Sequence, residues 1–354
     1  AIAQHRELNK LKQSDLAWLY QYSKTIPQNE LRNLDKAFQN FFRRVRQKKG
    51  KAGFPKFKSR KTDNQSFRLD GAITVEANRI KLPRIGWLSL KESNYIPADV
   101  KILSATVSKH ANKWFISVQT EEEKQEVLNE YDEVLGIDLG IKNLAVCSDG
   151  QVFENHNALK CNLIKLKRLQ RKFAKQTKGG KNWGKTKQKI GILHFHVANI
   201  RNDYLHKITS ELVKDKQVGT IVIEDLAVSN MVKNRKLSRA ISDLGLYEFR
   251  RQLEYKCKWN GINLIIADRF FPSTKLCSCC GHKNDELMLA DREWVCPVCK
   301  TEHNRDLNAA NNLKNYTVSS TGIEACGEKI RLNLDEQFSM KQEINMKFNN
   351  VRFQ

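Results

Sequence analysis

Apolar positions first recur at helical spacing. LAWLYQYS precedes ELRNLDKAFQNFFRRVRQ, in which Leu31, Leu34, Phe38, Phe41 and Phe42 fall three and four apart, so residues 5 to about 47 are predicted helical with one apolar stripe. Most of those side chains are expected in a core. From Phe67 to about Thr120 the pattern becomes that of short strands: SFRL, AITVEANRIKLP, GWLSL and ILSATVSKHANKWFISVQT, the last folded into a hairpin around His110 to Lys113. This predicts a small antiparallel sheet or barrel. The acidic run EEEKQEVLNEYDE (121–133) reads as a solvated linker at a domain boundary.

After it, VLGIDLGIKNLAVCSDGQVFE holds two apolar strands and, beyond a Ser148-Asp149-Gly150 turn, a third. Residues 160–215 return to helical spacing, with Leu163, Leu166, Leu169 and Phe173 as the inward stripe. TIVIEDL and INLIIAD are unbroken apolar strands of the kind covered on both faces, with a helix near 245–260 between them. Alternating strands and helices predict an α/β domain with parallel central strands and an opening meander.

Charge changes the picture in two places. From Arg43 to Lys61 there are ten basic residues and no acid: Arg43, Arg44, Arg46, Lys48, Lys49, Lys51, Lys56, Lys58, Arg60 and Lys61, interleaved with Phe54 and Phe57. From Lys160 to Lys189 there are twelve, again with no acid, and Lys165, Arg168, Arg171 and Lys172 lie on the outer face of the first helix there. A solvated charged surface is the plainer reading of such a run, but one-sign density beside aromatics favours a segment that tracks phosphates. Over 354 residues, 62 Lys and Arg stand against 39 Asp and Glu, a formal charge of +23. Such a field repels basic partners and concentrates nucleic acid. No apolar run approaches the roughly 20 residues of a membrane span, and a cytoplasmic location is expected. The chain opens at Ala1 in what reads as mid-helix, without a signal peptide or initiator methionine, which predicts residues upstream.

Of nine cysteines, four form two paired spacings. Cys277-x2-Cys280 and Cys296-x2-Cys299 are separated by fifteen residues, the pattern of a zinc ribbon in which each knuckle offers two thiolates to one tetrahedral ion. Four thiolates would close the site, making it structural, and metal binding would supply most of the folding free energy of so short a segment. Cys279 is expected to point away; His282 and His303 are weaker candidates as substitute ligands.

Acids end the apolar strands: Asp138 after VLGI, Glu224 after TIVI. Open α/β sheets bind ligands at such carboxyl ends. In a helix beginning near 305, Asp306 would share a face with Ala309, Ala310 and Leu313 and turn inward, where a carboxylate is costly unless paired or bound to a cation. Alone, Asp306 reads as a helix cap. Three converging carboxylates would suit two hard cations, Mg²⁺ or Mn²⁺, about 3.5–4 Å apart, able to activate water against a phosphodiester. Spacing does not decide against Asp225 and Asp268, which also lie at strand ends.

These residues resemble the TnpB family, the OrfB-type proteins of bacterial insertion sequences related to type V CRISPR effector nucleases. GIDLGIKNLAVCSDG, IVIEDLAVSNM and HNRDLNAANNL resemble its three RuvC motifs, PSTKLCSCCGH and WVCPVCK its zinc ribbon, and LRNLDKAFQNFFRR with GFPKFKSRK its helical recognition segment and the start of its wedge domain. The resemblance implies nuclease acids at Asp138, Glu224 and Asp306 and zinc ligands at Cys277, Cys280, Cys296 and Cys299. It further implies a multidomain α/β protein: a helical segment (1–53), a wedge-like antiparallel β domain (54–128) and an RNase H-like RuvC nuclease domain (129–316). A zinc ribbon would be inserted at 272–304, and a tail would follow at 317–354. The function implied is an RNA-guided DNA endonuclease with guide RNA and target DNA as partners, one structural Zn²⁺ and two catalytic Mg²⁺ or Mn²⁺. The family's usual strand and helix ahead of the helical segment have no match among these residues, and an N-terminally short copy is expected. Two alternatives are a non-cleaving regulator that binds nucleic acid and a transposase acting on element ends.

Overall fold

The structure is a computed structural model that describes residues 2–47, 53–56, 65–97, 100–123, 127, 129–288 and 291–321. They fall into two compact units, one within Ala1–Lys124 and the other within Gln125–Arg331. Among the described residues no helix is long and apolar enough to cross a membrane.

In the first unit the helical pattern is broken twice. Helix α1 (Ile2–Leu11) is followed by a 3-10 turn at Ala17–Gln21 and then by α2 (Thr25–Arg46). Strands β1 (Gln65–Asp70), β2 (Thr74–Glu76), β3 (Arg79–Leu82), β4 (Gly86–Ser89), β5 (Lys101–His110) and β6 (Lys113–Glu121) form two three-stranded antiparallel sheets, ordered β1-β5-β6 and β2-β3-β4. The hairpin joins His110 to Lys113. Alternate residues enclose a core of Leu69, Ile80, Leu82, Ala105, Val107, Ile116 and Val118, against which Ile26 of α2 packs. Asn29 fastens α2 to β1, its Nδ2 donating to Asp70 Oδ2 at 2.7 Å.

The apolar stripe of α2 is not core. Leu34 and Phe42 are exposed, and Leu31, Phe38 and Phe41 are half-buried. The rings pack on one another and on Phe54, with Phe41–Phe54 and Phe38–Phe54 centroids 5.3 and 5.5 Å apart. Arg43, Arg44, Arg46 and Lys56 beside them are exposed. Lys48, Lys49, Lys51, Lys58, Arg60 and Lys61 lie outside the described residues.

The second unit is built on β7 (Val134–Leu139), β8 (Asn143–Cys147), β9 (Val152–Glu154), α3 (Ala158–Ala174), α4 (Lys181–Lys214), β10 (Thr220–Glu224), α5 (Val228–Met231), α6 (Ser238–Leu244), α7 (Leu246–Trp259), β11 (Asn263–Ala267), β12 (Glu293–Val295), β13 (Glu302–Asn304) and α8 (Arg305–Thr321). Its five-stranded sheet runs β11-β10-β7-β8-β9, with β7, β10 and β11 parallel and β7-β8-β9 an antiparallel meander. Ile221 and Ile223 face a core made with α4, α6 and α7, whereas Val222 faces Leu313 of α8. Both faces are covered, hence the unbroken apolar strands. On α3, Leu166 is buried while Lys165, Arg168, Arg171 and Lys172 are exposed. Asp243 caps that helix by accepting from Leu159 N–H, and is itself paired with Arg201 at 3.1 Å. The acidic run 121–133 does more than link. Asn129 Nδ2 donates to Val218 O at 2.9 Å, and the Tyr131 carbonyl approaches so closely that a Cβ on Gly219 would sit 1.7 Å from its oxygen. Of the tail expected from 317, α8 takes in residues to Thr321, and 322–354 lie outside the described residues.

Candidate active site and metal centre

Register places the two strand acids together. In the parallel β7/β10 pair Ile137 stands opposite Ile223, so Asp138 and Glu224 follow at the same level on neighbouring strands. Side chains two apart on a strand share a face. Gly136 meets α8 and Val222 packs with Leu313, so Asp138 and Glu224 project on the α8 side of the sheet. Asp306 lies in the first turn of α8, and Ala309, Ala310 and Leu313, which share its face, are fully buried.

Electrostatics reports the convergence. Asp138 is buried, and its carboxyl is pushed well above the usual range, first by burial and then by the negative charges of Glu224 and Asp306; Arg305 and Arg292 act the other way. Burial also raises Glu224, against a hydrogen bond donated by Ser273 Oγ. Asp306 pairs with Arg292, Nη1 to Oδ1 at 3.2 Å. The competing acids are occupied elsewhere. Asp225 is bonded to Arg269 and to Arg250 Nη1 at 2.8 Å, which holds its carboxyl below the usual range. Asp268 is exposed and accepts from Phe270 N–H in its own turn.

The cysteines form a tighter group. Among the described residues, Cys277, Cys280, Cys296 and Cys299 alone bring three or more candidate ligand atoms within 4.8 Å of one another; the three carboxylates do not close into such a one-ion cage. Each knuckle turns on a left-handed residue four after its first cysteine, Gly281 (φ +72°) and Lys300 (φ +62°), and the β12–β13 hairpin joins the second knuckle to α8. Sγ atoms stand 3.5 Å apart for Cys277–Cys299 and 3.6 Å for Cys280–Cys296. Burial pushes the Cys277 thiol up to about 12, whereas bonds from Thr301 hold Cys299 down to about 5. Thiolates this close repel unless a cation lies among them, and four sulfurs suit a soft or borderline ion. Cys279 and His282 are outside the group. His303 is also outside the group but adjoins it: its Nε2 lies 3.0 Å from Cys277 Sγ and its ring tilts over Trp294 at 4.8 Å. Metal analysis should find one ion per chain, lost in Cys296→Ser and retained in Cys279→Ser.

Four residues around these sites escape sequence reasoning. Arg292 reaches Asp306, Ser273 reaches Glu224, and Asn308 and Asn312 are buried on α8. The last two left a signal, amides four apart on an otherwise apolar helix face.

A relative from Escherichia coli K12 named "Putative RNA-guided DNA endonuclease InsQ" is 37% identical over 335 residues, covering 90% of this chain and 80% of its own. The chain belongs to the TnpB family. A Streptomyces pristinaespiralis relative with the same description is 36% identical over 323 residues, covering 90% of this chain and 77% of its own. The OrfB_IS605 family, described as a probable transposase, matches residues 117–235, and the Cas12f1-like TNB domain matches 247–313, which takes in all four cysteines and Asp306. In fold, this TnpB chain is similar to a solved Cas12f1–sgRNA–target DNA complex, with a TM-score of 0.55 at 17% identity over 80% of this chain and 70% of that one.

Proposed function

We propose that the protein is an RNA-guided DNA endonuclease of an insertion sequence, hydrolysing phosphodiesters at Asp138, Glu224 and Asp306, with guide RNA and target DNA as its partners in the cytoplasm. The observation that carries this is the buried Asp138, its carboxyl raised by burial and then by Glu224 on the neighbouring strand and Asp306 on the helix that covers that face. Its donor set is hard oxygen, suited to Mg²⁺ or Mn²⁺, and the negative charge that Arg292 and Arg305 offset only in part is what divalent ions would neutralise. Two such ions, when bound, polarise the phosphodiester and the attacking water. The chain's own part is to hold the carboxylates near the ends of two paired strands and at the start of α8, with Arg292 and Arg305 supplying positive charge for a polyanion at the rim. The cysteine group is read as one structural zinc. Residues 1–53 and 54–128 are read as recognition-like and wedge-like parts, and 129–316 as the RuvC-like nuclease with its ribbon at 272–304. Arg43, Arg44, Arg46 and Lys56 in one unit, and Lys165, Arg168, Arg171 and Lys172 in the other, are exposed cations placed to hold backbone phosphates, while base pairing reads sequence.

Purified protein should carry a discrete RNA, seen as excess absorbance at 260 nm that ribonuclease removes. With that RNA it should cleave supercoiled DNA bearing the matching sequence in Mg²⁺ and not in EDTA. Binding without cleavage in Mg²⁺ and Mn²⁺ would instead make it a regulator, and joining of DNA ends a transposase.

A further inference from the structure

Ser273 carries no charge, yet both sides of the carboxylate pocket are tied to it. It is 3% exposed, and its Oγ donates to Glu224 Oε1. Its carbonyl oxygen accepts from Asn312 Nδ2 at 2.7 Å, and the same amide reaches Leu276 O at 2.7 Å. One turn earlier on α8, Asn308 Nδ2 donates to Leu276 O at 2.7 Å while its Oδ1 accepts from Ser278 N–H at 2.9 Å. Asn308 and Asn312 are 1% and 6% exposed. Buried amides are costly unless bonded, and here each amide nitrogen is committed to the same short loop. That loop runs from Ser273 into Cys277, and the helix gripping it begins with Arg305 and Asp306.

We propose that Ser273 is a positioning residue for Glu224, and that Asn308 and Asn312 clamp it to α8, so that one hydrogen-bonded unit sets the spacing between Glu224 and Asp306. The inference rests on the reading that those carboxylates hold divalent ions. A single hydroxyl donated to Oε1 fixes the carboxylate's rotation and leaves Oε2 for a cation. Partners of this kind, bonded behind a ligand, orient it and raise metal affinity.

The test is a titration of the full chain with Mn²⁺ alone, followed by electron paramagnetic resonance, beside melting temperature and the content of the cysteine-bound ion. Ser273→Ala should weaken Mn²⁺ binding about 10- to 100-fold, with melting and the cysteine-bound ion unchanged. Ser273→Thr, which keeps the hydroxyl, should restore the parent affinity. Asn312→Ala should weaken Mn²⁺ binding too, and the double variant should be no weaker than the worse single one, because both act through one unit. Parent-like Mn²⁺ affinity in Ser273→Ala, while Asp138→Ala loses it, overturns the inference and leaves the pocket standing. So does a Ser273→Ala chain that melts early or sheds the cysteine-bound ion, since the bond would then serve folding only. Parent-like affinity in Asp138→Ala as well brings down the carboxylate reading and this inference with it.

Discussion

The Asp138→Asn variant should lose cleavage by about three orders of magnitude or more, as expected when several kcal/mol of charge stabilisation is removed, while its grip on RNA and DNA is unchanged. The same variant should melt higher than the parent in the absence of divalent ions. Asp138 is buried, and its carboxyl is raised by that burial and by Glu224 and Asp306. An acid raised in the folded state binds its proton more tightly there than in the unfolded chain. The contribution of Asp138 to stability is therefore greatest at low pH and falls as pH climbs from the unfolded value of 3.8 towards the folded one. Once pH passes that raised value the metal-free protein bears the repulsion, and asparagine, uncharged and nearly the same shape, relieves it. Mg²⁺ should raise the melting temperature of the parent, and more at pH 8 than at pH 5, because cation binding must expel the proton held at the lower pH. In Asp138→Asn the increment should shrink at both. Calorimetry with and without Mg²⁺, beside a cleavage assay, reads all of this. A variant that still cuts, or that melts lower than the parent without metal, would refute the pocket.

Much of this pocket was legible because its signals are local. An apolar strand ending in an acid is visible within six residues, as in VLGID and TIVIE, and CxxC spacing states its own geometry. What was not legible depends on pairing across the chain. Nothing near Asp225 or Glu224 says which faces Asp138. The answer lies in Arg250 and Arg269, 25 and 44 residues downstream of Asp225, which engage it, and in the β7/β10 register, which aligns residues 86 apart. The phenylalanines of α2 misled for a related reason: a helical stripe states that a face is apolar, not what covers it, and here the rings chiefly cover each other. The acidic run 121–133 reads as solvated from its charge, yet its backbone is gripped at Gly219 and Gly261, glycines that give no hint in sequence of the carbonyls resting on them.

Gly136 carries the same lesson to its largest consequence. It sits in the middle of β7, where glycine ordinarily weakens a strand. Here its missing side chain is what lets α8 lie against the sheet: a Cβ at Gly136 would fall 2.0 Å from the Ala310 carbonyl oxygen and 2.4 Å from Lys314 N. Both are backbone atoms, so no rotamer change can yield the space, and the helix itself must move. Gly136→Val should therefore cost about 3 kcal/mol or more, at or beyond the upper end for overpacking, seen as a fall of about 6–12 °C in melting for a unit of this size. Cleavage should suffer beyond the loss of folded protein, because α8 carries Asp306 and a misplacement of about 1 Å can cost 10²-fold. Gly184→Ala is the control. It is exposed on α4 with no atom within 4 Å of an added Cβ, and should be neutral or stabilise by up to about 1 kcal/mol. Equal melting of the two variants would mean that α8 does not rest on β7 at this distance. Asp306 would then lose the support that places it beside Asp138, because a carboxylate on a helix free to shift by a few ångströms cannot share ions with one fixed in a strand.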